Sequence, residues 1–176
     1  VQIILMAAVT LDGKLARHPA HLSNWTSPED KKIFRTETRR AGVIIVGHNT
    51  YKTFARPLPG RLHIVVTHTP AAYPGIPGAV EFTDAPPAAI VADLAARGYT
   101  RAVLVGGAQI NALFLAADLV DEIWLTVEPV IFGQGIPLFA GYDFDRRATL
   151  LALTPLNRDT FLARYRVIHE GHEDHE

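Results

Sequence analysis

No cysteine occurs among the 176 residues. That excludes a disulfide framework, a thiol nucleophile and a thiolate metal site. An excess of charge of either sign is also missing, since 17 Lys and Arg stand against 18 Asp and Glu. Sequence-independent binding to nucleic acid or to a membrane surface needs a basic surplus, so a small-molecule partner is expected instead. Nor does any apolar run approach the roughly 20 residues that cross a bilayer. The first run, which begins at Val1, is too short and too uncharged at its start for a secretory leader, and a cytoplasmic location is expected. No polar or low-complexity gap divides the chain, and 48% of its side chains are hydrophobic, enough for one well-buried core. One domain over residues 1–168 is expected, followed by a disordered polar tail over residues 169–176. The histidines and carboxylates of that tail read as a solvated surface, and no metal site is expected anywhere in the chain.

What is present centres on residues 103–114, VLVGGAQINALF. An apolar β-preferring run enters two glycines, Gly106 and Gly107, and helical spacing then begins at Ile110, Leu113 and Phe114. A helix that starts off a buried strand aims unpaired N–H groups and its positive end above the sheet, and glycines let a ligand approach the backbone. A diphosphate suits such a seat. Glycine is also the ordinary way to leave a strand sharply, so both readings stand on this stretch alone.

The remaining chain repeats strand and helix. Residues 2–9 (QIILMAAV) read as a strand buried on both faces, and residues 16–24 as a polar loop following its carboxyl end. A helix follows, with Thr26 or Ser27 as cap, Pro28 in the first position, and Glu29 and Asp30 in the first turn. Asp30 shares a helical face with Ile33 and Phe34, a face expected against the sheet, although a carboxylate there can also simply complement the helix dipole. Residues 42–51 repeat the strand, glycine and helix-start pattern, with Asn49 or Thr50 as cap, and make a second anion seat. Arg56-Pro-Leu-Pro-Gly-Arg61 is a rigid turn whose arginines are expected to face solvent. Strands are then expected at residues 62–67 and 79–82, a helix at 86–97, and a long strand within 118–130. Residues 132–139 form a glycine-rich loop, in which Phe132, Ile136, Leu138 and Phe139, with Ile131 before them, are expected to pack rather than to touch a ligand. Residues 148–155 and 160–168 close the chain as an antiparallel hairpin. Alternating strands and helices with two strands in succession at the end predict an α/β fold with a mixed, mainly parallel sheet.

The order Trp25-x-x-Pro28-x-Asp30-x-x-x-Phe34, Gly47-x-x-Thr50, Arg56-Pro-Leu-Pro-Gly-Arg61, Gly106-Gly107-Ala108, Leu125-Thr126 resembles dihydrofolate reductase. Leu11-Asp-Gly-Lys14, Leu119-Val-Asp-Glu122 and Phe132-Gly-Gln-Gly-Ile-Pro-Leu-Phe139 are similar to the related reductase domain of riboflavin biosynthesis. The resemblance implies the three-layer fold of that superfamily and an NADPH-dependent reductase that delivers hydride to a C=N bond. A pteridine of the dihydrofolate type is the favoured substrate, with 5-amino-6-(5-phosphoribosylamino)uracil as the alternative. A non-catalytic nucleotide-binding protein is the second alternative, and a homodimer is possible. For the cofactor the resemblance implies Ala8, Gly47, His48, Asn49, Thr50, Thr67, His68, Gly106, Gly107, Ala108, Gln109 and Ile110, with a cis peptide between the paired glycines. His48 stands where an arginine is common, and a neutral imidazole clamps a 2′-phosphate less firmly. For the substrate it implies Ala7, Trp25, Phe34, Phe54 and Arg61, and for catalysis Asp30 with Thr126. A carboxyl group suits the chemistry, because protonating an imine nitrogen makes its carbon accept hydride.

Overall fold

The computed structural model describes residues 1–169 and Gly171. The tail expected to be disordered lies, apart from His169 and Gly171, outside the described residues. The elements in order are β1 (Gln2–Val9), β2 (Lys14–Ala16), α1 (Pro28–Ala41), β3 (Val43–Gly47), α2 (His48–Tyr51), β4 (Leu62–Val66) and β5 (Val80–Thr83). They continue with α3 (Pro87–Ala96), β6 (Arg101–Leu104), α4 (Ala108–Ala116), β7 (Glu122–Val127), β8 (Ile136–Pro137), β9 (Ala148–Pro155) and β10 (Phe161–Val167).

Eight strands form one sheet in the order β5-β4-β3-β6-β1-β7-β10-β9. The first six run parallel, and β10 and β9 pair antiparallel at one end. The expected mixed sheet with a closing hairpin is therefore the observed one. Alternation along the strands divides the core into layers. Ile3, Leu5, Val43, Ile45 and Leu104 face α3 and α4, where Ile90, Leu94, Phe114 and Leu115 meet them. Ile4, Met6, Ile44 and Val103 face the other way, with Ile33 of α1 packed against them. Both faces of the central strands are covered, which is why those strands read as continuous apolar runs.

Local sequence accounts for the helix that matters most. Ser27 caps α1 by accepting a hydrogen bond from the Asp30 N–H, Pro28 occupies the first turn, and Gly42 ends the helix in the left-handed region at φ 78°. Two expectations fail here. Neither Asn49 nor Thr50 caps α2; the helix starts at His48, directly off Gly47 as its cap position, with no side-chain cap. A second, two-stranded sheet of β2 and β8 was not expected, because three and two residues are too few to show periodicity.

Phe114 is fully buried between the sheet and α4. Phe114→Ala should lower unfolding free energy by about 3–5 kcal/mol, read as a lower urea midpoint with an unchanged slope.

Candidate active site

The carboxyl ends of β1, β3, β4, β6 and β7 open into a cleft of about 1480 Å³. Single ligand sites usually occupy about 300–1,000 Å³, so there is room for a dinucleotide and a second molecule. In the sheet order β3-β6-β1, chain neighbours are separated and the helices diverge to opposite faces, which is where open α/β sheets leave a crevice.

Every residue expected at the site lines this one cleft. Ala7 and Ala8 come from the end of β1, Gly47, His48, Asn49 and Thr50 from β3 and α2, and Thr67 and His68 from beyond β4. Gly106, Gly107, Ala108, Gln109 and Ile110 come from the β6–α4 junction, Trp25, Asp30 and Phe34 from α1 and its approach, and Phe54, Arg61 and Thr126 complete the set.

The floor is built by close backbone approach. Gly47 N–H donates to the Gly106 carbonyl at 2.7 Å, and the Gly106–Gly107 peptide is cis. A Cβ on Gly47 would lie 2.9 Å from Ile110 Cγ1, and one on Gly107 would lie 3.1 Å from Thr50 Oγ1. Gly106 has φ 97°, a region that side chains disfavour. α4 starts immediately after, with no side chain capping its first turn, so its leading N–H groups remain to meet an anion. A side chain would crowd Ile110 at Gly47 and Thr50 at Gly107, and would strain the backbone at Gly106. The residues present fit a dinucleotide diphosphate.

At the adenosine-side candidates, the His48 ring lies 4.4 Å edge-on from Tyr73 and its Nδ1 is 3.4 Å from Thr67 Oγ1. Burial lowers the His48 pKa first, and Lys52 adds to that. The imidazole is therefore neutral near pH 7, as a weak phosphate clamp would be.

Asp30 is half-buried on the α1 face that looks into the cleft. Desolvation raises its pKa, the Thr126 hydroxyl opposes this as a hydrogen-bond partner, Glu128 raises it further, and Lys31 lowers it. Aromatic and helical cover thus give a carboxyl group that keeps its proton nearer to neutrality than an exposed aspartate does.

Arg61 corrects its expectation. It does not face solvent but is 7% exposed, and its Nε has no hydrogen-bond partner among the described residues. Burial, then Arg39, then Arg35 disfavour its charged form. All three arginines line the same end of the cleft, beside Leu58 and Pro59. Arg35 and Arg39 were missed in the sequence; their i,i+4 spacing, one turn beyond Asp30 on α1, was the available signal. Ile136 also lines the cleft and Ile131 is 68% exposed, against the expectation that both pack.

The 56–61 turn is held by His63, which is fully buried. Its Nε2 accepts from the Leu58 N–H at 3.0 Å, which leaves Nδ1 to donate to the Ala79 carbonyl at 3.0 Å. Acceptance at Nε2 requires the neutral ring, while donation at Nδ1 does not.

A family model described as dihydrofolate reductase matches residues 2–132. The uncharacterized protein YwjB of Bacillus subtilis (strain 168) is 28% identical over 144 residues, 77% of this chain and 81% of that protein. A putative riboflavin biosynthesis protein from Shewanella sp. PV-4 matches in structure with TM-score 0.79 and 23% identity, covering 96% of this chain and 100% of that one. A diaminohydroxyphosphoribosylaminopyrimidine deaminase/5-amino-6-(5-phosphoribosylamino)uracil reductase from Thermotoga maritima matches with TM-score 0.79 and 19% identity, covering 94% of this chain and 56% of that one. At these identities the two structural matches establish the fold.

Burial lowers the His63 pKa from its ordinary 6.5. Unfolding therefore takes up a proton below that value, so His63's contribution is complete above about pH 6.5 and is lost as pH falls toward the depressed folded value. Urea midpoints should decline on acidification from pH 7 to 5, and part of that decline should be absent from His63→Gln.

Proposed function

The chain belongs to the dihydrofolate reductase family, and from that premise we propose that it is a single-domain, NADPH-dependent reductase that delivers hydride to a C=N bond. The observation that carries this reading is Asp30, a proton-retaining carboxyl group in the same cleft as a glycine floor that a dinucleotide fits. Gly47, Thr50, Gly106, Gly107 and the start of α4 would hold the cofactor diphosphate, and the cofactor would supply the hydride. The protein's own part is to bind the substrate, exclude water and manage one proton. Hydride adds to carbon while the nitrogen takes a proton, and Asp30 shares that proton with the nitrogen, so the carbon is electrophilic when hydride arrives. Thr126 fixes the carboxyl, and Trp25, Phe34 and Phe54 provide apolar cover for a flat ring.

For the substrate, two features favour the ribosylaminopyrimidine phosphate over dihydrofolate, reversing the order suggested by sequence. The Thermotoga protein is described as acting on that compound. Arg35, Arg39 and Arg61 also bring three guanidinium groups to one place, a set well suited to the compact dianion of a phosphate monoester. A ribosylamine opens to an imine, so Asp30 has the same task there. Dihydrofolate remains the second reading because the Asp30–Thr126 pair suits a pteridine ring.

A homodimer is the proposed assembly. β9 is a sheet edge with Leu150, Leu151 and Leu153 exposed, and antiparallel edges can pair across a two-fold axis. Equilibrium sedimentation of the wild type and Leu153→Lys tests it: a dimer that becomes monomeric in the variant is expected, and a wild-type monomer overturns it.

NADPH oxidation should be followed with both substrates in parallel. Asp30→Asn should lower kcat/KM on the order of a hundredfold or more, and wild-type rates should fall as pH rises through the raised pKa of Asp30. Arg61→Gln should raise KM for the phosphorylated substrate about tenfold or more, as loss of a charged hydrogen bond predicts. Turnover that survives Asp30→Asn would remove Asp30 from the chemistry. NADPH binding without reduction of either compound would overturn both substrate readings.

A further inference from the structure

Glu128 is the deepest carboxylate near the cleft, 3% exposed, and no step described above uses it. It follows β7 two residues after Thr126, so both residues point to the α1 side of the sheet. Its Oε1 accepts from the Ser27 N–H at 2.8 Å and from Ser27 Oγ at 2.7 Å, and its Oε2 accepts from Thr160 Oγ1 at 3.1 Å. Ser27 and Thr160 are themselves 9% and 3% exposed. Ser27 Oγ in turn accepts from the Asp30 N–H at 3.2 Å. One buried carboxylate thus ties the β7 end, the first turn of α1 and the β9–β10 turn into a single unit.

A cap needs no charge behind it. Serine alone satisfies the helix start, whereas a carboxylate taken out of water carries a desolvation cost that its three donors must offset. A glutamine there would accept the same two Ser27 bonds without that desolvation cost. The geometry points to Glu128 as a positioning residue for Asp30: through Ser27 it fixes the first turn of α1, and with it the Asp30 carboxyl, in the cleft wall. This inference rests on the proposed role of Asp30. Repulsion from Glu128, which Ser27 holds behind the same helical turn, acts on Asp30 in the direction of proton retention.

The other groups near Asp30 do not reproduce that effect. Lys31, its chain neighbour, acts in the opposite sense and is exposed, with Nζ bonded to Thr26. Thr126 stabilises the ionised form. Glu29 points away, toward Asn157 of the β9–β10 turn. Arg35 and His21 line the same cleft but are cationic or neutral.

The test is carboxyl 13C NMR of the full chain, following the titration of Asp30 in the wild type and in Glu128→Gln. Glutamine keeps the volume and an acceptor for Ser27 while removing the charge. Asp30 should titrate at lower pH in the variant, and the falling limb of the rate profile should move with it, a loss of about tenfold in rate above that limb for each pH unit of displacement. An Asp30 curve superimposed on that of the wild type overturns the proposal and leaves Glu128 a structural anchor. A displaced curve with an unchanged rate profile upholds the effect of Glu128 on Asp30 and overturns instead the proposed catalytic use of Asp30. If Glu128→Gln does not fold, Thr160→Val serves with the same readout. It deletes a donor that offsets the Glu128 charge, so Asp30 should titrate higher, and an unmoved curve overturns the proposal.

Discussion

The structure depends on the burial of β3, β6 and β1 on both faces. Strands covered by helices above and below have no side chains to spare for a ligand, so chemistry can reach them only where they end. At those ends the backbone itself becomes the binding surface. Gly47 and the Gly106–Gly107 pair approach until the Gly47 N–H meets the Gly106 carbonyl, and Ile110 and Thr50 fill the space where side chains would stand. The glycines, the uncapped start of α4 and the diverging helices are consequences of one packing decision.

Charge in the cleft is arranged by depth. Three arginines stand together at one end, and among them Arg61 is buried with an unbonded Nε. Two carboxylates sit at the α1 wall, one half-buried and facing the cleft, the other deep and fully bonded. The dividing element is the first turn of α1. A substrate with a proton-accepting head and an anionic tail matches that polarity, and a substrate without an anionic group leaves Arg61 unsatisfied. The same helix carries Asp30, Phe34, Arg35 and Arg39 on neighbouring turns, so its angle against the sheet sets both ends of the site at once.

Sequence order placed the elements well because the signals were strong. Buried parallel strands leave apolar runs, and Ser27, Pro28 and Gly42 mark α1 by side-chain and backbone preferences that act over a few residues. The small β2–β8 sheet was invisible, since two-residue pairing leaves no period. The local reading of Arg61 as solvent-facing failed for a related reason, although the family resemblance had put it in the cleft. A turn rich in proline and glycine looks exposed locally, and only the packing of His63 beneath it, bonded to the Leu58 N–H and the Ala79 carbonyl, draws it inward.

Legible in the residues alone were the fold class, the paired glycines between a buried strand and a helix, and the position of Asp30 on its helix, because each rests on contacts within a few residues or on motifs in fixed order. That Arg35, Arg39 and Arg61 share one end of the cleft, and that Glu128 stands behind Ser27, follows from packing. Glu128 and Ser27 are 101 positions apart in the chain. No local preference spans that distance, and only the pairing of β7 with β1 and the docking of α1 against them bring the two together.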